Sequence, residues 1–242
     1  MKTLLIIGGS GFFGLSFVDF FIKNSLKKWG ISNIIFLSRK FPSKEILKDS
    51  KKSNFSFIKG NILTLKKIPT AELIIYAANS NNTKNDVQGI VNFNKIIKKD
   101  FNKCNILFTS SGAVYGNQYD HKNKKINYFS ESSKLKLKQI NQLPKNKINY
   151  AKTKIKSESL LKEISSNKIK ISIARCYTFI GPRIVKYEKY VISNLIDSII
   201  NNKSINLISK FKVYRSYMFY TDLVIWLLTI LINLKKKYEI FN

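Results

Sequence analysis

Cysteine, arginine and acidic side chains are all scarce in this sequence of 242 residues. The two cysteines, Cys104 and Cys176, are too few for a disulfide framework, and no cluster of Cys and His has metal-ligand spacing, so we expect no metal. The longest apolar run, 223–234, is shorter than the roughly 20 residues that a membrane span needs. Glycines and Asp19 interrupt the apolar N-terminus, and no small-residue cleavage site follows. We therefore expect a cytoplasmic protein that does not enter a membrane.

The net charge of +29 contrasts with this low arginine content. A balance this basic is typical of proteins that bind nucleic acids or anionic surfaces. All but four of the 43 basic residues are lysine, however, and they are spread along the whole chain. Nucleic-acid interfaces favour arginine, because its planar fork donates two hydrogen bonds at once. We interpret the charge as a compositional background and expect no nucleic-acid partner. Binding to RNA is the alternative, which salt-dependent retention on a nucleic-acid column would reveal.

Short apolar runs alternate with longer segments of helical periodicity. The runs predict buried strands at 4–7, 34–37, 55–58, 73–76, 106–108 and 169–174. Helices are predicted at 12–24, 86–99, 150–165, 188–201 and 221–233, the last capped by Thr221 or Asp222. Strands that are apolar throughout indicate a parallel sheet, so the predicted fold is α/β: a Rossmann-like doubly wound parallel sheet with helices on both faces. The polar stretch 117–147 predicts a long loop with about one helical turn.

The turn after the first predicted strand has a glycine at every third position, at Gly8, Gly11 and Gly14. A sharp turn, close approach of a pyrophosphate to the backbone and tight packing of the next helix each favour a residue without a Cβ. The N–H groups at the helix start then bind the phosphates. This turn therefore predicts dinucleotide binding, whereas a glycine pattern without the flanking strand and helix would indicate only a tight turn.

Ser38, Arg39 and Lys40 end the second predicted strand. An acidic residue about 20 positions beyond the glycines would accept the ribose 2′-hydroxyl of NAD, whereas arginine accommodates the 2′-phosphate of NADP. The cofactor is therefore predicted to be NADP or NAD, with NADP favoured. A solvated basic turn in a basic protein is the alternative interpretation.

Tyr150 and Lys154 are four residues apart on a predicted helix, so their side chains share one face. A phenol has a pKa near 10 and is a poor base at neutral pH, but a neighbouring cation favours the phenolate. The pair therefore predicts a general base. Such a pair also occurs by chance in a lysine-rich chain. The serine-rich stretch 109–116 follows a predicted strand, at the sheet edge where ligands bind in these folds, although it also fits a simple turn.

These motifs occur together with others in a fixed order. In chain order the full set is the glycine turn at 8–14, Ala77-Ala78, D-V-Q-G at 86–89 opening a helix, S-S-G-A-V-Y-G at 110–116, Y-A-K-T-K at 150–154, R-C-Y-T-F-I-G-P at 175–182 and R-S-Y-M-F-Y-T-D at 215–222. Over nearly the whole chain the sequence resembles the extended short-chain dehydrogenase/reductases, specifically the NAD(P)-dependent nucleotide-sugar epimerase/dehydratase family.

The resemblance implies a role for each matching residue. Ser111 is the catalytic serine, Tyr150 is the acid/base, and Lys154 binds the nicotinamide ribose while tuning Tyr150. The substrate contacts are Ser111, Thr178 and Arg215, of which Arg215 binds the diphosphate unless it forms only a structural salt bridge. The cofactor contacts are Gly8, Ser10, Gly11, Phe12, Phe13, Gly14, Ser38, Arg39, Lys40, Asn61, Ile62, Ala77, Ala78, Tyr150, Lys154 and Tyr177. The implied partners are a nucleotide-diphosphate sugar and a second copy of the chain, which packs on the helices at 86–99 and 150–165.

Several residues depart from the family pattern. Asn61 replaces an Asp near the adenine, Thr178 replaces an Asn that contacts substrate, and Asp86 replaces an Asn at the helix start. Gly112 and Ala113 follow Ser111, where 4,6-dehydratases of the family have an Asp-Glu pair that eliminates water. The departure at 112 and 113 weakens the dehydratase alternative.

The resemblance also divides the chain into parts. We expect a dinucleotide-binding domain at 1–182, part of a small substrate lobe at 183–216 and a return helix and strand at 217–242. The family continues beyond that strand, so we expect an incomplete substrate lobe, dinucleotide binding and poor turnover.

The first functional hypothesis is an enzyme that transiently oxidises a nucleotide-linked sugar, as an epimerase or a ketoreductase. The alternatives are a 4,6-dehydratase and a dinucleotide-binding protein without turnover.

Overall fold

The structure, a computed structural model, describes residues 1–50, 54–80, 82–117, 119–120, 125–126, 128–184, 191–205 and 215–242. Its strands are β1 (Lys2–Ile7), β2 (Ile31–Ser38), β3 (Phe55–Lys59), β4 (Leu73–Tyr76), β5 (Cys104–Ser111), β6 (Tyr119–Asp120), β7 (Lys125–Ile126), β8 (Ile169–Cys176), β9 (Thr178–Ile180), β10 (Tyr217–Phe219) and β11 (Tyr238–Phe241). Its helices are α1 (Phe12–Lys23), α2 (Lys44–Ser50), α3 (Thr83–Asp100), α4 (Leu137–Ile140), α5 (Lys145–Lys162), α6 (Val191–Ile200) and α7 (Tyr220–Ile232). Short 3₁₀ turns span Leu26–Trp29 and Gly112–Tyr115.

Seven parallel strands form one sheet in the order β11-β8-β5-β4-β1-β2-β3. The chain runs outward from β1 to β3, then returns to pair β4 on the other side of β1. The strand order therefore reverses between β1 and β4, and the carboxyl ends of all seven strands lie at one edge. A crevice at such a reversal is where open α/β sheets bind ligands. The predicted Rossmann-like doubly wound sheet is confirmed.

Helices cover both faces of the sheet, which explains why its strands are apolar throughout. Leu4 and Ile6 belong to a buried cluster that also contains residues of α1 and α7. The alternate residues of the same strand, Leu5 and Ile7, belong to a second cluster with residues of α3. Successive side chains of a strand point to opposite faces, so each residue of β1 is buried by one of the two layers.

The starts of three helices differ from the sequence expectations. Helix α3 begins at Thr83 with Asn82 as its N-cap, so Asp86 lies inside the first turn and does not open the helix. Helix α5 begins directly after Pro144, five residues before Tyr150. The expected cap of α7 by Thr221 or Asp222 is wrong: the N-cap is Phe219, which makes no side-chain hydrogen bond.

Short elements were not predicted from the sequence. They are α2, the antiparallel pair β6–β7 and the parallel pair β9–β10, whereas α4 is a single helical turn of the kind predicted within 117–147. The polar stretch 117–147 contains β6, β7, α4 and the start of α5, and its residues 118, 121–124 and 127 lie outside the described chain. Of the helix predicted at 188–201, the structure describes α6, and 188–190 lie outside the described residues. No helix among the described residues is both long and apolar enough to cross a membrane.

Candidate functional site

The turn between β1 and α1 lies at the carboxyl edge of the sheet, beside the strand-order reversal. Gly8 has φ of 96°, in the region that L side chains rarely adopt, and a Cβ there would lie 2.7 Å from the backbone carbon of Ala77. The N-cap of α1 is Gly11, which has no capping side chain, and the first turn contains no acidic residue. An open helix start next to a backbone without side chains fits a bound pyrophosphate.

Gly14 has a different part in this turn. It is buried in α1, and a Cβ at this position would overlap the backbone of Gly9. It does not line the cleft described below, unlike the other predicted cofactor residues. Its missing side chain therefore lets α1 pack closely on the turn and makes no surface for a ligand.

A single cleft of about 1850 Å³ opens at this edge of the sheet. Its volume exceeds the roughly 300–1,000 Å³ of typical small-ligand pockets, so it has room for a dinucleotide and a second ligand. Every predicted site residue except Gly14 lines it: Gly8, Ser10, Gly11, Phe12, Phe13, Ser38, Arg39, Lys40, Asn61, Ile62, Ala77, Ala78, Ser111, Tyr150, Lys154, Tyr177, Thr178 and Arg215.

Helix α5 carries Tyr150 and Lys154 into the cleft. The Lys154 Nζ donates a hydrogen bond of 2.8 Å to the carbonyl oxygen of Thr109 in β5. The same nitrogen lies 5.7 Å from the centre of the Tyr150 ring and 4.7 Å from that of Phe108. The ammonium therefore lies next to both aromatic rings.

Burial lowers the pKa of Lys154 from 10.5 to about 8. Electrostatic interactions with Asp86, Cys176 and Glu158 oppose this shift. With a pKa of about 8, Lys154 is mostly protonated at neutral pH.

Ser111 ends β5, and its hydroxyl oxygen accepts a hydrogen bond of 3.2 Å from the N–H of Ala113. This bond caps the 3₁₀ turn Gly112–Tyr115. The acceptor role leaves the hydroxyl proton of Ser111 available to another oxygen.

The far end of the cleft is formed by the ends of β2 and β3. The Ser38 hydroxyl donates 2.6 Å to the carbonyl oxygen of Lys40, which shapes the turn that carries Arg39. Arg39 and Lys40 are exposed. The Asn61 Oδ1 accepts from the N–H of Leu63 at 3.2 Å, so this side chain already caps its own turn.

The opposite end of the cleft combines two segments that are distant in sequence. Thr178 in β9 pairs with Tyr217 in β10, and Arg215 precedes β10 by two residues. Thr178 and Arg215 consequently line the same end of the cleft. Asp86 is the only carboxylate among the described lining residues, and its Oδ1 accepts from the N–H and hydroxyl of Ser80, each at 2.7 Å.

Gly112 lies directly against the ring of Tyr177. Ser111 pairs with Cys176 in the parallel register of β5 and β8, so the residues that follow them are neighbours. A Cβ at position 112 would lie 2.7 Å from Cδ1 and 2.9 Å from Cζ of Tyr177. Burial raises the pKa of Tyr177, so its phenol stays protonated at neutral pH. The ring occupies the space that a side chain at position 112 would need.

Glu158, which belongs to none of the predicted site motifs, lies behind the cleft. Glu158 is on α5 one helical turn beyond Lys154, and it forms a buried ion pair of 2.7 Å with Arg175 of β8. The sequence contained one indication of Glu158: it follows Lys154 by four residues, so the two side chains share one face of the helix. No group of three or more His, Cys, Asp or Glu side chains in the described part of the chain is arranged to hold a metal ion.

Comparison with known proteins gives a family match and a set of similar folds. Residues 4–242 match the NAD dependent epimerase/dehydratase family. No curated protein matches the chain. One similar structure is a dTDP-glucose 4,6-dehydratase from Bacillus anthracis in complex with NAD, with a TM-score of 0.75 and 18% identity over 100% of this chain and 75% of that one.

Two further structures have the same fold. MoeE5, in complex with UDP-glucose and NAD, has a TM-score of 0.72 and 16% identity over 99% of this chain and 75% of its own. WbmF from Bordetella bronchiseptica, in complex with NAD+ and UDP, has a TM-score of 0.70 and 12% identity over 98% of this chain and 70% of its own. Because the family match extends over residues 4–242, the chain belongs to the NAD dependent epimerase/dehydratase family of enzymes.

Proposed function

We propose that this protein is an NAD(P)-dependent enzyme that acts on a nucleotide-diphosphate sugar, as an epimerase or a ketoreductase. The observation that carries the proposal is a single cleft lined by the glycine turn, by Tyr150 and Lys154, and by Arg215. These are the parts that a dinucleotide, a proton transfer and an anionic substrate each require.

The β1–α1 turn would hold the dinucleotide. Its backbone N–H groups would donate to the pyrophosphate, and the missing Cβ of Gly8 lets this turn lie directly against the backbone of Ala77 and Ala78. Ser38, Arg39 and Lys40 would surround the adenosine ribose, and the described residues at this end of the cleft include no carboxylate that would repel a 2′-phosphate. When bound, the dinucleotide supplies the hydride acceptor and donor. The absence of an acidic residue at this turn supports a preference for NADP over NAD.

Tyr150 would move the proton. Its phenolate takes the proton of a sugar hydroxyl as the carbon is oxidised and returns it on re-reduction. The Lys154 ammonium, 5.7 Å from the Tyr150 ring centre, stabilises the phenolate. Ser111, whose hydroxyl proton is available, donates to the same sugar oxygen and orients it.

Arg215 and Thr178 would bind the substrate at the other end of the cleft. A guanidinium matches the geometry of a diphosphate, because it donates two parallel hydrogen bonds. The proteins of similar fold include one complexed with UDP-glucose and one with UDP. These ligands support a nucleotide sugar as the substrate class.

A dehydratase is the weaker alternative. Several proteins of similar fold are dehydratases. Elimination of water needs an acid and a base beside the intermediate ketone, yet Gly112 and Ala113 provide neither. The Tyr177 ring also fills the space beside Gly112. These two features favour epimerisation or reduction.

A homodimer is the proposed assembly. Helices α3 and α5 pack side by side on one face of the sheet, and Asn94 of α3 donates 2.7 Å to the carbonyl oxygen of Leu160. Their outer surfaces would pack on a second copy. Sedimentation equilibrium that gives a monomer at micromolar concentration would exclude this assembly.

The proposed function is tested in two steps. Mass spectrometry of ligands released from the purified protein should identify NADP or NAD. The protein is then incubated with the dinucleotide and a panel of nucleotide sugars in deuterated water, and NMR identifies an epimer, a reduced sugar or a 4-keto-6-deoxy product. The last of these would replace the epimerase or ketoreductase proposal with the dehydratase. Dinucleotide binding without any product would leave a binding protein.

A further inference from the structure

Side chains of helix α5 form hydrogen bonds with two consecutive residues of β5. Lys154 Nζ donates 2.8 Å to the carbonyl oxygen of Thr109. Glu158, four residues further along the same helix, accepts 2.5 Å from the hydroxyl of Ser110. The next residue of the strand is Ser111. Two turns of the helix are thus fixed against the strand that carries the predicted catalytic serine.

Glu158 belongs to a buried cluster with Ser110, Arg175 and Tyr115, which we call the Glu158 cluster. The Arg175 Nη2 donates to Oε2 of Glu158 at 2.7 Å, and the Arg175 Nε donates to Oε1 of Glu158 at 3.2 Å, so the pair is bidentate. The Nη1 of the same guanidinium donates 2.8 Å to the Tyr115 hydroxyl, and its carbon lies 4.9 Å from the ring centre. The side chains of Arg175 and Glu158 are only 4% and 6% exposed.

The members of the cluster come from four different elements. Ser110 is in β5, Glu158 in α5, Arg175 in β8 and Tyr115 in the 3₁₀ turn that follows β5. Both oxygens of the Glu158 carboxylate are hydrogen bonded, so the buried charge is paired and satisfied. Moving α5 along or around β5 would break these bonds and leave buried charges without partners, which is strongly unfavourable.

Glu158, Arg175 and Tyr115 do not line the cleft, so they act on a ligand only through other residues. We propose that the Glu158 cluster positions Tyr150 and Lys154 relative to Ser111, with the Ser110 hydroxyl as the link between helix and strand. This inference rests on the proposed function, because it concerns the geometry of that same site. Ser110 does line the cleft, but its hydroxyl donates to Glu158, so it acts with Glu158, Arg175 and Tyr115 as a positioning residue.

Ser110→Ala is the decisive variant, because it removes the link and leaves the ion pair intact. Ser172→Ala is its matched control. Ser172 is also a buried strand serine, and its hydroxyl donates 3.2 Å to the carbonyl oxygen of Ile106, outside the cleft. Each change removes one buried hydroxyl, but the Ser110 hydroxyl donates to a carboxylate, so Ser110→Ala should lower the urea midpoint at least as much as Ser172→Ala. Ser110→Thr keeps a hydroxyl and should behave as the wild type.

Lys154 serves as the reporter of position. Its rate of acetylation by acetic anhydride is measured by mass spectrometry across pH 6–10 in the whole protein. The charged and titratable groups that face it are Asp86 of α3, Tyr150 and Glu158 of α5, and Cys176 of β8. If helix α5 is loosened, water reaches the Lys154 ammonium and its pKa rises. The midpoint of the acetylation rate against pH should therefore be higher in Ser110→Ala than in the wild type by about half a pH unit or more. Ser172→Ala and Ser110→Thr should keep the wild-type midpoint.

An unchanged midpoint in Ser110→Ala, or an equal shift in Ser172→Ala, would overturn the proposal. Where a nucleotide-sugar substrate has been found, kcat of Ser110→Ala should fall about tenfold, whereas kcat of Ser172→Ala and Ser110→Thr should stay at the wild-type value. A wild type that binds dinucleotide without turnover would contradict the proposed function alone. The acetylation midpoints would still decide the positioning role.

Discussion

Lys154 and Thr109 join the candidate acid–base helix to the central sheet through one hydrogen bond of 2.8 Å between an ammonium and a backbone carbonyl. A buried ammonium that has lost its water needs such a partner. The carbonyl provides it without adding a negative charge, so the cation stays available to the phenol of Tyr150.

Replacing Lys154 by methionine should remove a pH dependence of stability. The pKa of Lys154 is about 8 in the folded protein and 10.5 ordinarily, so between these values the unfolded chain binds more protons. The free energy of unfolding of the wild type should therefore rise with pH relative to Lys154→Met, by up to about 3 kcal/mol from pH 7 to pH 10. Urea unfolding at a series of pH values measures this difference.

Lys156→Met is the control, because Lys156 is exposed on the same helix. Its stability difference from the wild type should be flat across the same pH range. A flat difference for Lys154→Met as well would contradict the burial of a charged Lys154.

Tyr150→Phe should abolish turnover and leave dinucleotide affinity nearly unchanged. The substitution removes only the hydroxyl that would transfer the proton, and loss of a positioned acid–base group costs roughly 10²–10⁴-fold in rate. Isothermal titration and a turnover assay measure the two properties separately. Tyr238→Phe, which removes a phenol hydroxyl from β11 outside the cleft, should retain turnover. An active Tyr150→Phe enzyme would show that the proton moves through another group.

Arg39→Asp should reverse the expected preference for NADP over NAD. A carboxylate repels the 2′-phosphate of NADP and accepts a hydrogen bond from the 2′-hydroxyl of NAD. The ratio of the two dissociation constants should change by at least about tenfold, which corresponds to 1.4 kcal/mol. Lys48→Asp in α2 makes the same charge change outside the cleft and should leave the ratio unaltered. Equal affinities of the wild type for both dinucleotides would refute the preference.

Gly8→Ala should destabilise the protein more than Gly30→Ala and should also prevent dinucleotide binding. Both glycines have positive φ, 96° and 67°, so alanine costs about 1–2 kcal/mol at either position. A Cβ at Gly8 meets the backbone of Ala77 and Ala78 at 2.7 Å, whereas nothing lies within 4 Å of one at Gly30. Crowding should therefore add about 1–3 kcal/mol at Gly8. If the two variants lost equal stability in urea unfolding, the turn between β1 and α1 would be able to shift and accommodate the Cβ at little cost in free energy.

Much of the sheet was predictable, because a parallel strand buried on both faces is apolar along its whole length. The runs at 4–7 and 73–76 have this pattern, and both are central strands. The start of α5 was not predictable in the same way. Residues 145–149 are mostly polar and have little helical periodicity, so only Pro144 indicated a boundary.

The residues that line the cleft were predictable where they belong to a local sequence motif. Gly8, Tyr150 and Lys154 have local patterns that express their geometry. The ion pair between Glu158 and Arg175 has no such pattern, because it depends on how α5 packs against β8. Contacts between elements that are distant in sequence follow from the assembled fold and not from local spacing.

The contact between Gly112 and Tyr177 has a consequence for how this sequence can vary. Any side chain at position 112 must displace the ring at position 177, since a Cβ would lie 2.7 Å from Cδ1. The two positions are therefore expected to change together among relatives, with a larger residue at 112 accompanied by a smaller one at 177. A carboxylate at position 112 therefore requires the ring of Tyr177 to turn away or a smaller side chain to replace it, so a substitution at one position alters what the other can tolerate.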